Sequence, residues 1–423
     1  MNTRQRTSVA CLLPVITAVL ALSRPESAAP GGKDEDAPVR FSELLIRDKY
    51  GYAYGIAAAD LDGDGDLDLV SSDTTDDKTP KKDNGTLLWF ENDGKGKFTK
   101  HIIAKDEAGW FERLAIGDID GDGHPDVVVV LNRAGSLVWF RNPGKPATES
   151  WQRHVIVTGG LPGAYDVALG DFDGDGKLDV AASSWTRGNR FVCYRNPGKD
   201  GIAKDWPAQV IEDKLSETRT IRVADFNGDG RPDLLGTATG ASLVVWYGNT
   251  GKPGSQPVWK KHIIDDQSPA PVHGHAVDMD GDGDADVVMA FGMRDGFAPK
   301  EKQQVVWYEN VGKSGKGLQW KKHVVGPLPN AFDAVAADVD GDGKRDVIAT
   351  AWGSGGRLVW FRNPHGPQKH WPMRVLKDNW PNANQVLAVD LNKDGKVDIA
   401  ATAERGANEL RWWRNEGRGF RGK

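Results

Sequence analysis

One acidic nine-residue loop is written seven times along this chain. Its first copy is Asp60-Leu61-Asp62-Gly63-Asp64-Gly65-Asp66-Leu67-Asp68, and the others begin at Asp118, Asp171, Asp225, Asp278, Asp338 and Asp390. Successive starts lie 58, 53, 54, 53, 60 and 52 residues apart. Self-similarity at such a period marks an array of supersecondary units, each unable to bury its apolar face alone. The repeat therefore overrides the two or three domains that 423 residues would otherwise suggest.

Positions 1, 3, 5 and 9 of each loop carry an oxygen ligand, and position 6 is always Gly. The candidate metal residues are Asp60, Asp62, Asp64 and Asp68 in the first loop, then Asp118, Asp120, Asp122 and Asp126. The third and fourth loops supply Asp171, Asp173, Asp175 and Asp179, and Asp225, Asn227, Asp229 and Asp233. The last three supply Asp278, Asp280, Asp282 and Asp286, Asp338, Asp340, Asp342 and Asp346, and Asp390, Asn392, Asp394 and Asp398. Ca²⁺ takes six to eight hard oxygens at roughly 2.3–2.6 Å, and alternate side chains around a glycine turn can wrap such a cage. An EF-hand would need Glu at position 12, where Ser71, Val129 and Ala182 stand here, and flanking helices rather than alternating strands. A thrombospondin-type array would need many cysteines. Up to seven structural calcium ions are expected, with the seventh loop least regular because Lys393 replaces the usual Gly at position 4.

Each repeat reads as four short strands. In the third, Tyr165–Gly170 alternates into the loop, Leu178–Ser183 leaves it, Phe191–Tyr194 follows, and Trp206–Ile211 comes fourth. Four antiparallel strands repeated seven times describe an all-β, seven-bladed β-propeller. Aromatic pairs recur on strand three (Trp89-Phe90, Trp139-Phe140, Trp246-Tyr247, Trp307-Tyr308, Trp360-Phe361, Trp412-Trp413) and fill the wedge between neighbouring sheets. The chain ends where the seventh unit needs its fourth strand. Phe41–Ile46, ahead of the first unit, matches that missing strand and is expected to complete the last blade.

Residues 1–29 read as a secretory signal, with Arg4 and Arg6 before an apolar run from Val9 to Leu22 that is too short to span a bilayer. Residues 30–40 read as a linker, and 41–423 as the propeller. Cleavage would leave Cys193 as the only cysteine, a buried inert thiol in place of a template Trp. A secreted, periplasmic or extracellular-surface monomer without a membrane span is expected, held by ions instead of disulfides. Full loading by seven divalent ions would turn the formal net charge of −6 into +8, and with no basic run nucleic acid is not an expected partner.

The seven loops, Asp60–Asp68 through Asp390–Asp398, resemble the FG-GAP/VCBS repeats of the integrin α N-terminal propeller and its bacterial and fungal relatives. The resemblance spans residues 41–423. It implies a seven-bladed propeller with calcium between the first two strands of a blade. A consistent Phe-Gly and Gly-Ala-Pro signature is missing, so integrin-type ligands are not implied.

Four strands per blade put the acidic loops and the Asn-Pro-Gly turns on one face, and the loops entering strand one and leaving strand two on the other. Twelve of the 16 Trp occupy template positions; the remaining four, Trp110, Trp185, Trp352 and Trp380, all fall in loops of the second face. Aromatic faces stack on sugar rings, and neighbouring charged groups bond hydroxyls and carboxylates. The candidate ligand residues are these four with Arg113, Tyr165, Asp166, Arg219, His273, His275 and Asp333. Tyr54, Phe111, Arg187, Arg294 and Asn384 stand beside them. His101, His154, His262 and His323 share one strand-four position and read as structural. His273 and His275 point the same way on a strand and face the central channel.

The first functional expectation is a calcium-loaded binding module for carbohydrate or a glycosylated or protein partner. A second is a polysaccharide lyase or sugar dehydratase, as the resemblance to related propellers implies. There Arg113 or Arg219 would neutralise a uronate carboxylate, and His273 or Tyr165 would remove the adjacent proton. A third is a surface scaffold for protein interactions. Convergence of His273, Arg219 and Tyr165 would support the enzyme, exposed stray tryptophans the lectin, and a broad apolar patch the scaffold.

Overall fold

The computed structural model describes residues 38–74, 84–199, 201, 204–293, 298–311, 316–364 and 371–419. The signal segment, most of the linker and Arg294 lie outside the described residues. Among the described residues, twenty-eight strands form seven four-stranded antiparallel sheets. In the first blade they are β2 (Ile56–Ala59), β3 (Asp68–Thr74), β4 (Asn84–Asn92) and β5 (Phe98–Ala108). Numbering continues at four strands per blade. Apart from one 3₁₀ turn at Lys300–Lys302, no helix occurs among the described residues, so none is long and apolar enough to cross a membrane.

Ring closure follows the sequence expectation. Strand β1 (Val39–Arg47) pairs antiparallel with β28 (Glu409–Arg418), from Val39 opposite Arg418 to Arg47 opposite Leu410. The last sheet thus runs β1-β28-β27-β26, with β27 Asp398–Ala403 and β26 Ala383–Val389. The N-terminal strand covers an edge of β28 that would otherwise template aggregation.

Burial explains the alternation of strand types. Inner strands such as β10 (Ala164–Gly170) are buried along their whole length, whereas the outer β13 (Ala208–Glu212) is half exposed. Each neighbouring pair of blades builds its own apolar cluster. Leu169, Val180 and Trp206 meet Val128, Leu137 and Trp139 between blades two and three. Four template Trp stack on strand-four histidines, with ring centroids 4.2–4.5 Å apart. These are the structural histidines of the sequence reading.

Polar groups stitch the blades as well. Asn196, at the end of strand three, is buried and donates from Nδ2 to Ile119 O of the preceding blade (2.8 Å) and to Leu178 O of its own (3.0 Å). Asn92, Asn142, Asn249, Asn310 and Asn415 make the same reach to Leu391, Leu61, Phe172, Phe226 and Val339. The recurrent Asn-x-Gly signals, of which Asn142 and Asn196 are Asn-Pro-Gly, are therefore inter-blade ties as well as turns.

Candidate functional site

The acidic loops share one geometry. In all seven, the position-6 glycine N–H donates to the Oδ2 of the first aspartate at 2.7–3.2 Å. That glycine has φ between 79° and 94°, the left-handed region that side chains resist. Lys393 adopts φ 54° at position 4, and its ammonium pairs with Asp66 of the neighbouring first blade.

The first, third and fifth positions converge in loops one, two, five and six. In loop three, Asp171, Asp173 and Asp179 do so, each group placing carboxylate oxygens within 4.8 Å of one another. In loops four and seven an amide, Asn227 or Asn392, holds the third position. The ninth-position aspartates accept backbone amides: Asp68 takes Leu61 N on Oδ2 (3.1 Å) and Asn92 N on Oδ1 (2.8 Å). Burial lifts their carboxyls to about 7 at Asp68, Asp179, Asp233, Asp286 and Asp398, and to about 8 at Asp126 and Asp346.

Asp120 Oδ1 and Asp346 Oδ2 are buried and accept no hydrogen bond. Crowded carboxylates with unused buried oxygens fit a hard divalent cation. Arg141, Arg195 and Arg362 reach the carboxylates of loops two, three and six from the end of strand three.

The opposite face carries a different site. A cavity of about 280 Å³ opens at the mouth of the central channel, and all seven blades contribute to its lining. The sixth residues before the loops are Tyr54, Glu112, Tyr165, Arg219, Val272, Phe332 and Asn384, and five of them, all but Val272 and Asn384, line the cavity. The fifth residues are Gly55, Arg113, Asp166, Thr220, His273, Asp333 and Gln385. Loops leaving strand two add Arg133, Trp185, Arg187, Met293, Trp352, Glu404 and Arg405.

Three of the four stray tryptophans meet at this mouth. Trp110 is buried against Tyr52 (centroids 4.5 Å apart), while Trp185 and Trp352 are half-buried. Trp380 lies apart: its ring packs edge-on against Trp413, and its Nε1 donates to Glu409. Arginines lie over the aromatic faces, with Arg133 4.6 Å from the Trp110 centroid and Arg405 4.9 Å from that of Tyr52.

Tyr165, Arg219 and His273 also converge, joined by a hydrogen-bonded chain of fixed polarity. Thr220 donates to Val272 O (2.9 Å), so its hydroxyl oxygen accepts from His273 Nδ1–H (2.8 Å). His273 Nε2 is then the acceptor for the Tyr165 hydroxyl (2.9 Å). The Tyr165 oxygen in turn accepts from Arg219 Nη1 (3.2 Å) and from the Tyr54 hydroxyl. Burial, then Arg113, Arg219 and Arg222, push the His273 imidazole well below its usual range and keep it neutral. Burial raises the Tyr165 phenol despite Arg219 and Arg113.

Beneath the mouth, Asp166 accepts from Arg222 (2.5 Å), and Asp333 lies 3.7 Å from Arg113 and 3.5 Å from His275. Burial alone would raise the Asp333 carboxyl, but Arg113 and His275 hold it at about 2. Asn384 is fully buried, and neither atom of its amide group has a partner.

Sequence reasoning missed the acid wall. Glu112 and Glu404 are both buried at the mouth; Trp352 Nε1 donates to Glu404 Oε1 at 2.6 Å. Burial and then Glu404 raise the Glu112 carboxyl well above its ordinary value, so it keeps its proton. Glu112 carried a signal, its place among the sixth residues; Glu404 carried none.

An FG-GAP-like repeat family model matches residues 75–129, 118–182, 225–289, 278–349 and 338–401. Integrin alpha pat-2 of Caenorhabditis briggsae is 27% identical over 143 residues, which cover 30% of this chain and 12% of that protein's length. A solved Agrocybe aegerita lectin, described as specifically recognising non-reducing terminal N-acetylglucosamine, is similar at 17% identity over 82% of each chain, with a TM-score of 0.48.

Proposed function

The chain belongs to the FG-GAP-like repeat family, and from that premise we propose that it is a binding module for carbohydrate, free or on a glycosylated partner. The ligand sits at the channel mouth, on the face opposite the acidic loops. None of the stray tryptophans is exposed as the lectin criterion asked; the observation that carries this reading is the gathering of half-buried Trp185 and Trp352, with buried Trp110 behind them, around one concave site with tyrosines, arginines and glutamates. Template packing demands none of the three tryptophans there. A volume near 280 Å³ suits one or two sugar rings, with aromatic faces for the apolar side of a ring and charged groups for its hydroxyls. A concave polar-aromatic pocket also supports ligand uptake over the flat apolar patch of a scaffold.

Calcium belongs to the same proposal as a structural ion, held by the loop oxygens at positions 1, 3, 5 and 9. When bound it supplies charge neutralisation and a fixed loop shape, and no chemistry on a ligand. The leader-like residues 1–29 support export, and closure of the ring within one chain supports a monomer.

The test is a glycan array probed with the calcium-loaded protein, repeated with Trp185→Ala, Trp352→Ala and Trp380→Ala. The proposal expects a specific hit lost in the first two variants and kept in the third. A hit that all three retain would remove the site from the channel mouth.

A second reading, elimination on a uronate polysaccharide, draws on the meeting of Tyr165, Arg219 and His273. A proton passed from substrate to Tyr165, with the phenol's own proton moving to His273, would place an imidazolium among three arginines. That field opposes the step, so binding is the favoured reading. Unsaturated products after incubation with uronate polymers, lost in His273→Ala, would reverse the preference.

A further inference from the structure

We propose that the saccharide taken at the channel mouth carries a carboxylate, which is received by one edge of the Arg219 guanidinium. This rests on the saccharide reading above and adds the chemical class of the ligand. Arg219 is 1% exposed and lines the cavity. Its Nη1 is spent on the Tyr165 oxygen, while Nε and Nη2 have no hydrogen-bond partner. Those two nitrogens carry the parallel N–H bonds along one side of the planar fork, the edge that grips a carboxylate through two bonds at once.

Leaving such donors buried without a hydrogen bond is costly, more so on a charged group. Two features orient the open edge toward an incoming anion. The guanidinium carbon lies 4.7 Å from the Trp185 ring centroid and 5.3 Å from that of Tyr165, and with Nη1 bonded to the Tyr165 oxygen the group is held in place. Glu217 forms an ion pair with the same edge, its Oε2 3.5 Å from Nη2, a separation longer than a good hydrogen bond, and that oxygen accepts no hydrogen bond. The protein's own carboxylate thus occupies this edge loosely, and an incoming carboxylate would displace it.

The remainder of the site fits a sugar acid. Glu112 and Glu404 come from blades two and seven, on the flanks of blade one, whereas Trp185 and Arg219 come from blades three and four. A carboxylate at the arginine end leaves ring hydroxyls to reach the glutamates at the other. Glu112, holding its proton, can donate as well as accept there.

The probes are oligomers of galacturonate, glucuronate-containing glycosaminoglycan and alginate, each beside its methyl ester, titrated calorimetrically into the calcium-loaded protein. At least one acid should bind, and about tenfold or more tighter than its ester, the fold-change expected of a lost charged hydrogen bond. Arg219→Lys keeps the charge but loses the two-pronged edge; acid affinity should fall by a similar factor while the weaker ester binding stays.

Glu217→Gln removes the competing carboxylate and should tighten acid binding, which keeps the proposal testable if the Arg219 variant fails to fold. Equal affinity for acid and ester, or weaker acid binding by Glu217→Gln, overturns this inference alone. Binding of a neutral glycan and of none of the acids does the same. Absence of binding to any glycan, neutral or acidic, overturns the saccharide reading and this one with it.

Discussion

His273 gives the account a quantitative handle. Its side chain is fully buried between Tyr165 and Thr220, faced by Arg113, Arg219 and Arg222 and by His275 and Phe332. Both ring nitrogens are engaged in bonds that suit the neutral ring. In the unfolded chain an ordinary histidine takes up a proton below about pH 6.5. The folded chain does not, so the unfolded state binds more protons and stability falls as pH drops. One such group contributes a slope of about 1.4 kcal/mol per pH unit, or about 2 kcal/mol by pH 5. His273→Gln keeps an acceptor and a donor but cannot titrate. Urea unfolding of both proteins in saturating calcium, at pH 7.5 and pH 5, isolates the term because every other titrating group is shared. The wild type should lose about 2 kcal/mol more than the variant over that interval. Parallel losses would refute the neutral-histidine chain and the proton polarity derived from it.

Three further expectations concern the scaffold. Asn196→Ala strands the buried carbonyls of Ile119 and Leu178 and should cost about 2–4 kcal/mol, seen as a lower urea midpoint; a shift near zero would mean that the inter-blade tie is redundant. Deleting residues 1–47 removes β1 and bares the edge of β28, so the product should aggregate or unfold at a much lower temperature. A soluble monomer with the parent melting curve would contradict the closure argument. Chelation should lower the melting temperature substantially if ions hold the seven loops. Metal loss confirmed by elemental analysis without any shift would sink the structural role of calcium.

The architecture was legible because its determinants recur in register. Asp, Gly and Trp return at fixed offsets, so any one repeat predicts the others, and the matching of Phe41–Ile46 to a missing strand located the closure. The asparagine ties were half legible: Asn-x-Gly announces a turn, but nothing in one repeat shows an amide reaching into the previous blade.

The channel mouth was legible only in part, since each blade gives it one or two unrelated side chains. Trp110, Trp185 and Trp352 stood out against the template, and their shared face followed from strand count. Trp380 occupies the same class of loop, yet its ring turns to Trp413; loop membership fixes a face but not a direction. Glu112 and Glu404 lie 292 residues apart and are coupled only through the closed ring. Arg113, Asp166, His275 and Asp333 were grouped with the ligand residues, and the structure places them beneath the mouth, where they pair with one another or with Arg222.

A saccharide seated at the channel mouth is tested by hydrogen exchange with and without the strongest glycan found on the array. Exchange should slow in the second-face segments around residues 110–113, 185–187, 217–219 and 404–405, with the acidic loops unchanged. Protection confined to the acidic loops or to the outer strands would contradict it.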